Sequence, residues 1–183
     1  MQRALVDLAR RGDEEAFADL ARAVGDRLMG IAFRILRDAD RAEDAVQQTL
    51  MTAWRELPTL RDDDRFDAWL RRILVHACYA EARRRRSWSA NIRVLPTDGP
   101  AGRDVTADIV ERDLLERAFR RISPEQRAIF VLHHYVGMTL PEVADELGVP
   151  LGTVKSRLYY ATQALRAALD ADARTATSTE RLA

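Results

Sequence analysis

The segment from Thr139 to Arg166 carries side chains whose chemistry suits contact with nucleic acid. It holds Lys155, the only lysine of the chain. On a helix, which turns by about 100° per residue, Ser156, Tyr159, Tyr160 and Gln163 share the outward side. Lys155 and Arg166 lie on one flank of this side, and Thr153 and Arg157 lie on the other. Because an ordinary solvated face usually includes Asp or Glu and this one has neither, we predict that it contacts base edges and phosphates of DNA.

A second group of cations and rings recurs at helical spacing nearer the N-terminus. Its members are Arg65, Arg72, His76, Tyr79 and Arg83, here called the arginine stripe. Spacings of seven, four, three and four residues place them within about 60° of arc on a helix. Cations follow a phosphate backbone while flat rings stack on unpaired bases, so the stripe predicts a surface for single-stranded nucleic acid. The alternative is a solvated arginine-rich helix on which Tyr79 covers the edge of the core.

A third surface centres on a methionine that points away from the predicted core. A helix at about 41–56 would bury Val46, Leu50, Ala53 and Trp54. Its opposite side, here called the Met51 face, carries Asp44, Gln47, Gln48, Met51 and Arg55. An outward methionine in a polar frame is typical of protein interfaces, although a single exposed methionine is a weak signal.

No residue pattern predicts catalysis, a metal site or a cofactor. The adjacent His133 and His134 diverge by about 100° on a helix, which makes them a poor ligand pair. Cys78 has no second cysteine to pair with, so a disulfide within the chain and a cysteine zinc site are excluded. We expect Cys78 to be a half-buried inert thiol, with a redox switch as the alternative. The acidic run Asp62–Asp64 is interpreted as a solvated loop.

The composition argues against a protein that coats nucleic acid by bulk attraction. Lys and Arg together number 29, as do Asp and Glu, which leaves a formal net charge of zero. Any DNA contact therefore requires local patches or the help of a partner. The N-terminus lacks the apolar run of a signal peptide, and no stretch approaches the roughly 18 apolar residues of a membrane span. We expect a soluble, cytoplasmic protein without membrane insertion.

The periodicity predicts an all-α protein, because apolar residues recur at helical spacing and no segment alternates as a strand would. Asp13 would cap a helix with an apolar stripe from Phe17 to Ile35. A long helix at 66–86 would bury Phe66, Trp69, Leu70, Ile73, Ala77 and Ala80. The sequences "SPEQ" at 123–126 and "TLPE" at 139–142 are typical capping boxes. Gly148 would separate a short helix from a longer one, which predicts a helix-turn-helix.

Residues 87–104 combine prolines, glycines and small polar residues, which favours a flexible linker. They divide the chain into two helical domains at 1–86 and 105–170, the second opening with a helix at about 105–121. The small, polar segment 171–183 is predicted to be a disordered tail.

Three segments, in their order, resemble the extracytoplasmic-function (ECF) group of bacterial sigma-70 family factors. They read "RAEDAVQQTLMTAWRELP", "RFDAWLRRILVHACYAEARRRR" and "SPEQRAIFVLHHYVGMTLPEVADELGVPLGTVKSRLYYATQALR". The similarity extends from about Asp13 to Leu169. It implies sigma region 2 at 1–86, region 4 at 105–170, and a transcription initiation factor that directs core RNA polymerase to promoters.

The resemblance also implies a role for each surface. The Met51 face would bind the β′ clamp of core RNA polymerase, and region 4 would meet the β flap. The arginine stripe, with the loop 59–65, would capture the melted −10 element. Thr153, Lys155, Ser156, Arg157, Tyr159 and Tyr160 would contact the −35 element. An anti-sigma factor is an expected partner.

The chain departs from the pattern common in this family at Val75, His76, Ala80 and Tyr160. A free-standing helix-turn-helix regulator is the main alternative function, and an inactive regulator that still binds polymerase is a second.

Overall fold

The computed structural model describes residues 2–91 and 118–180, and all regular structure within them is helical. The helices are α1 (Gln2–Arg10), α2 (Glu14–Leu36), α3 (Ala39–Glu56), α4 (Phe66–Asn91), α5 (Pro124–Phe130), α6 (Leu140–Leu147) and α7 (Leu151–Glu180). Short 3-10 turns at Leu57–Thr59 and Asp63–Arg65 connect α3 to α4, and a π-helical turn, Val131–Tyr135, extends α5. The predicted all-α class is confirmed.

Helix α2 forms as its sequence predicts. Its N-cap is Asp13, whose carboxylate accepts a hydrogen bond from the backbone N–H of Ala16 at 3.0 Å. Glu14 and Glu15 follow in the first turn, where negative charge is favourable. The apolar stripe from Leu20 through Val24, Leu28 and Ile31 to Ile35 is buried, and Phe17 packs against its edge. Helix α2 therefore supplies the central wall of the N-terminal core.

Helix α3 buries small side chains where larger ones were predicted. Its buried positions are Ala42, Ala45, Thr49 and Ala53, and the Thr49 hydroxyl donates to the Ala45 carbonyl at 2.6 Å. Of the predicted core residues, Ala53 is buried, whereas Val46, Leu50 and Trp54 are half-buried. Small residues let the helix approach its neighbours closely, so the longer apolar side chains lie along the sides of that contact.

Helix α4 has a wider buried arc than its sequence predicts. Phe66, Leu70 and Ala77 are buried as expected, but Ala80 is exposed, and Trp69 and Ile73 are half-buried. Leu74, Val75, Cys78, Glu81 and Ala82 are buried in addition. The difference arises because α4 packs against α2 and α3 on one side and against α5 and α6 on another.

The C-terminal helices begin at the predicted capping boxes. Ser123 and Gln126 cap α5 in both directions, with Pro124 at its first position. Thr139 and Glu142 cap α6 in the same way, with Pro141 in its first turn. Proline is tolerated there because the first N–H groups of a helix have no intrahelical partner.

Two predicted helix ends differ from the structure. Helix α4 continues to Asn91, into the segment 87–104 that the sequence favours as a linker. Helix α7 continues to Glu180, into the segment 171–183 that the sequence predicts to be a tail. Alanine is a strong helix former, and Ala171 and Ala173 carry the helix onward despite their polar neighbours. Residues 92–104 of the predicted linker and 105–117 of the predicted helix lie outside the described residues.

The two predicted domains share one apolar core. Leu74 of α4 belongs to the same buried cluster as Ile129, Leu132 and Val143 of the C-terminal half. A guanidinium nitrogen of Arg127 donates to the carbonyl of Ile35 across this junction at 2.8 Å. A smaller cluster of Ala118, Phe119, Ile122, Ala161, Leu165 and Ala168 fixes α7 to the residues before α5. The described helices include none that is both long and apolar enough to cross a membrane.

Candidate nucleic-acid interface

A glycine turn sets α7 against α6. Gly148 adopts the left-handed conformation, with φ of 64° and ψ of 36°, which glycine reaches without the steric cost of a Cβ. Its N–H donates to the Asp145 carbonyl at 3.3 Å, and the Val149 N–H donates to the Ala144 carbonyl at 3.0 Å. The Pro150 carbonyl then accepts from the N–H groups of Thr153 and Val154, which starts α7. A short helix, a tight turn and a longer helix form the predicted helix-turn-helix.

The N-terminal half of α7 buries one side and exposes the predicted DNA-contacting side. Val154, Ala161 and Leu165 are buried and Leu158 is half-buried. Lys155, Ser156, Tyr159 and Tyr160 are exposed together, the two rings at about 60%. Their centroids lie 5.6 Å apart in an edge-to-face arrangement. Thr153 and Arg157 are half-buried at the margins of this face.

The exposed face of α7 holds cations and no acid over most of its length. From Leu151 the first carboxylate is Asp170. The Ser156 hydroxyl donates to the Thr153 carbonyl at 3.1 Å, so it is positioned by the helix. Helix α7 thus exposes cations, hydroxyls and rings on one α-helix, and the major groove of DNA is wide enough to admit an α-helix.

Four of the five residues of the arginine stripe are exposed as predicted, and one is not. Arg65, Arg72, His76 and Arg83 are exposed, whereas Tyr79 is half-buried. The Tyr79 hydroxyl is fully buried and has no hydrogen-bond partner among the described residues. Burial raises the pKa of Tyr79 well above its usual range; the charge of Glu125 raises it further and that of Arg157 opposes the rise. Tyr79 thus faces the C-terminal half instead of standing free for stacking.

His76 lies in a cationic environment. Its ring is 6.3 Å from that of Tyr79, edge to face. Partial burial, followed by the charges of Arg72 and Arg83, lowers the pKa of His76 below its usual range. This shift favours the neutral imidazole, which can both donate and accept a hydrogen bond.

Sequence reasoning did not find a cleft of about 300 Å³ at the end of this stripe. Trp69, which the sequence places in the core, lines it beside Arg61, Arg65 and Arg72 of the N-terminal half. Asp62 lines it as well, and Asp145 and Glu146 of α6 are its lining residues from the C-terminal half. Since the walls come from segments about 75 residues apart, no local pattern could have indicated the cleft.

The Met51 face has the predicted exposure. All five of its residues are exposed, and Met51 is 61% exposed. The Gln48 amide donates to the Thr52 hydroxyl at 3.3 Å, and Arg55 pairs with Glu56 at 3.6 Å. One helix therefore presents a methionine within a frame of amides and charges.

Cys78 is buried more deeply than predicted. Burial, together with the charge of Glu81, raises its pKa to about 12. Such a thiol is almost entirely protonated at neutral pH, which favours the inert state over the redox switch.

In comparisons with known proteins, each half of the chain matches a protein-family model. The family model for Sigma-70 region 2 matches residues 20–88, and that for Sigma-70, region 4 matches residues 112–165. The chain is 34% identical to the ECF RNA polymerase sigma factor SigL of Mycobacterium tuberculosis, covering 86% of this chain and 93% of that one. It is 32% identical to the RNA polymerase sigma-E factor of Streptomyces coelicolor, with coverages of 93% and 97%.

Two solved structures share the fold. One is CnrH in complex with the cytosolic domain of CnrY, with a TM-score of 0.67 at 28% identity; the match covers 93% of this chain and 98% of that one. The other is the sigma factor RpoE bound to the anti-sigma factor NepR from Bartonella quintana, also with a TM-score of 0.67, at 26% identity and with coverages of 85% and 98%.

Proposed function

The chain belongs to the ECF group of sigma-70 family RNA polymerase sigma factors, and we propose that it directs core RNA polymerase to a specific set of promoters. It reads the −35 element as duplex and captures the melted −10 element. The observation that carries this proposal is the exposed face of α7, the second helix of the helix-turn-helix, which has no acid between Leu151 and Leu169.

At the −35 element, α7 lies in the major groove. Lys155 and Ser156 are exposed near the N-terminus of the helix, where a recognition helix contacts base edges. Arg157 and Thr153, at the margins, contact phosphates and fix the register. Tyr159 and Tyr160 extend the contact along the groove wall. Each well-formed bidentate base contact contributes about 1–3 kcal/mol of discrimination against a wrong base.

At the −10 element, the arginine stripe follows the opened strand. Extruding a base costs a few kcal/mol, and stacking on a protein ring returns about 1–3 kcal/mol for each base. The exposed guanidiniums of Arg65, Arg72 and Arg83 attract the phosphates. Since stacking does not fully offset the opening, the sigma factor needs the contacts of polymerase to melt a promoter.

The Met51 face of α3 binds the β′ clamp of core polymerase, and region 4 meets the β flap. Polymerase then holds two weak DNA-binding modules on one scaffold, and the second binds at a high effective concentration. This arrangement agrees with a formal net charge of zero, because neither module needs bulk attraction to DNA. The polymerase supplies the chemistry, and the chain itself is not an enzyme.

An anti-sigma factor controls the protein. Support comes from CnrH and RpoE, which resemble this chain and were each solved with a bound partner, an anti-sigma factor in the second case. The cytoplasm, where polymerase works, is the expected compartment.

Run-off transcription with core polymerase tests the proposal on the promoter of the protein's own operon. We expect a discrete transcript that requires both core enzyme and this chain. A gel shift with and without core enzyme distinguishes a sigma factor from the alternative function. A free-standing regulator would bind duplex DNA tightly in the absence of core enzyme, at palindromic half-sites. Absence of a complex with core polymerase would overturn the proposal.

A further inference from the structure

The segment between α3 and α4 is buried at its two ends and exposed in between. Leu60 and Phe66 belong to the apolar core of the N-terminal half. Between them, Arg61 and Arg65 are exposed and line the cleft of about 300 Å³ beside Trp69. The direction in which these two arginines point therefore depends on what holds the exposed part of the loop against the rest of the protein.

Arg10, the last residue of α1, makes contacts that hold this loop. Its Nη1 donates to the Leu60 carbonyl at 3.3 Å and to Oδ1 of Asp63 at 3.0 Å. Its Nη2 donates to Oδ1 of Asp7, which lies one turn earlier on α1, at 3.0 Å. The planar guanidinium is thus oriented by a carboxylate of its own helix and joined to the loop at two points.

Asp63 is the carboxylate of the loop that points inward. Its side chain is 13% exposed, whereas Asp62 and Asp64 are exposed. Asp62 caps the short 3-10 turn by accepting a hydrogen bond from the Asp64 N–H at 3.0 Å. A carboxylate that is largely withdrawn from water needs a charged hydrogen-bond partner, and Arg10, itself 31% exposed, supplies one.

A second ion pair between α1 and the loop should contribute much less. Arg3 and Asp64 are 3.4 Å apart, and both side chains are largely exposed. Exposed ion pairs usually contribute little, because water screens the charges and two mobile side chains must be ordered. The contact between Arg10 and Asp63 is shorter and partly shielded from water. Arg10, rather than Arg3, is therefore the arginine of α1 that determines the loop conformation.

Helix α1 provides Arg10 with a firm base. Val6 and Ala9 of α1 are buried in the same apolar cluster as Leu57 and Leu60 at the start of the loop. The Sigma-70 region 2 model matches from residue 20 onward, so α1 precedes the part of the chain that the model covers. The contact of Arg10 thus reaches the loop from outside the matched region.

We propose that Arg10 is a positioning residue for recognition of the −10 element. Through Asp63 and the Leu60 carbonyl it holds the loop 59–65 in the conformation that presents its two arginines to the captured strand. Without Arg10 the loop samples other conformations, and correct and incorrect bases are bound with more similar affinities. This inference rests on the proposed role of the loop in capturing the −10 element.

The test measures base discrimination by the holoenzyme. Core polymerase with the full-length chain is titrated against forked fragments of the promoter of the protein's own operon, with the −35 element as duplex and the −10 element as single-stranded non-template DNA. One panel changes single −10 bases and a second changes single −35 bases.

Arg10→Ala should reduce discrimination about tenfold at the −10 position where the wild type discriminates most. This is the size expected when hydrogen bonds to a charged group are lost. Discrimination at the −35 element should stay as in the wild type, because α7 is built without any contribution from α1.

Three further variants separate positioning from a general loss of structure. Arg11→Ala is the matched control, because Arg11 is the adjacent arginine, is exposed and pairs with Asp7 of its own helix at 2.7 Å; it should leave both panels unchanged. Arg10→Lys keeps the charge without the planar fork and should give an intermediate loss. Asp63→Ala should reproduce the pattern of Arg10→Ala, and the double variant should discriminate no worse than either single variant, because both remove the same contact.

Unchanged −10 discrimination in Arg10→Ala would overturn the proposal. A uniform loss across both panels would overturn it as well, since it would mean that Arg10 acts only on the stability of the protein, which thermal denaturation measures directly. Multiplied losses in the double variant would exclude a shared contact with Asp63. If the wild-type holoenzyme itself showed no preference at any −10 base, the proposed function of the loop would be wrong, and this failure is visible before any variant is made.

Discussion

Thr139 and Glu142 cap α6 through hydrogen bonds in both directions. The backbone N–H and the hydroxyl of Thr139 each donate to Oε2 of Glu142 at 2.7 Å, and the Glu142 N–H donates to the Thr139 hydroxyl at 3.4 Å. The pair sets where α6 begins, and so fixes the first helix of the helix-turn-helix relative to the π-helical turn before it.

Thr139→Ala should lower the free energy of unfolding by about 1 kcal/mol, because it removes the acceptor for a helix N–H that has no intrahelical partner. Urea denaturation followed by circular dichroism measures the change. Thr59→Ala serves as control, since the Thr59 hydroxyl is exposed and caps no long helix. Equal stability of Thr139→Ala and the wild type would contradict the role of the capping box.

The charge of Glu142 should make this cap sensitive to pH. Hydrogen bonds from the side chain and backbone of Thr139 lower the pKa of Glu142 below its ordinary 4.5. A lowered folded-state pKa contributes stability that is present above 4.5 and is lost as the pH falls through the folded value. Glu142→Gln retains the cap without the charge, so its stability deficit at pH 7 should disappear in acid. A deficit that stays constant between pH 7 and pH 3 would exclude this linkage.

Substitutions on α7 should separate base contact from phosphate contact. Lys155→Ala and Ser156→Ala should change the preference at individual −35 positions by about 1–3 kcal/mol, because these side chains lie on the exposed groove face. Arg157→Ala should weaken binding to all −35 sequences by a similar factor. Measuring holoenzyme binding to a panel of promoters with single-base changes in the −35 element distinguishes a position-specific loss from a uniform one. Arg22→Ala on α2 is the control and should leave binding unchanged. Uniform losses for all three variants would contradict the placement of α7 in the groove.

Met51→Asp should weaken association with core polymerase at least tenfold while leaving the fold intact. Met51 is 61% exposed, so a carboxylate there remains hydrated in the free protein but would be desolvated in a complex. A pull-down with core enzyme measures the loss, and thermal denaturation verifies folding. Leu8→Asp, at a residue 45% exposed on α1, is the control. If core polymerase captured Met51→Asp as well as the wild type, the prediction that the Met51 face binds polymerase would be wrong.

Cys78 should resist alkylation in the native protein. With a pKa of about 12, only about one thiol in ten thousand is ionised at pH 8, and burial blocks access as well. Mass spectrometry after brief treatment with iodoacetamide should find Cys78 unmodified in buffer and fully modified in urea. Modification at equal rates in both would restore the redox-switch alternative.

The helices and their caps were predictable because they depend on nearby residues. Asp13, Ser123 and Thr139 each cap the helix that their local sequence indicates, and Gly148 forms the turn. The errors on α4 have a different origin. Leu74 is buried and Ala80 is exposed because α4 packs against both halves of the chain, and periodicity within one helix cannot report which sides will be covered.

The candidate surfaces, too, could be predicted where they depend on one helix and could not where they depend on packing between helices. The exposed sides of α3 and α7 agree with their sequence patterns, since each depends on a single helix. The burial of Tyr79 and the pairing of Arg71 with Glu146 do not, because both depend on packing between the two halves of the chain; Arg71 and Glu146 are 75 positions apart.

Gly148 constrains the helix-turn-helix through its backbone. Its left-handed conformation, with φ of 64°, turns α6 into α7, and a residue with a Cβ rarely adopts it. A Cβ at this position would make only ordinary van der Waals contact with the guanidinium of Arg72, at 3.4 Å. An alanine would therefore alter the angle between the two helices through backbone strain, while the space around the turn would still accommodate its methyl group.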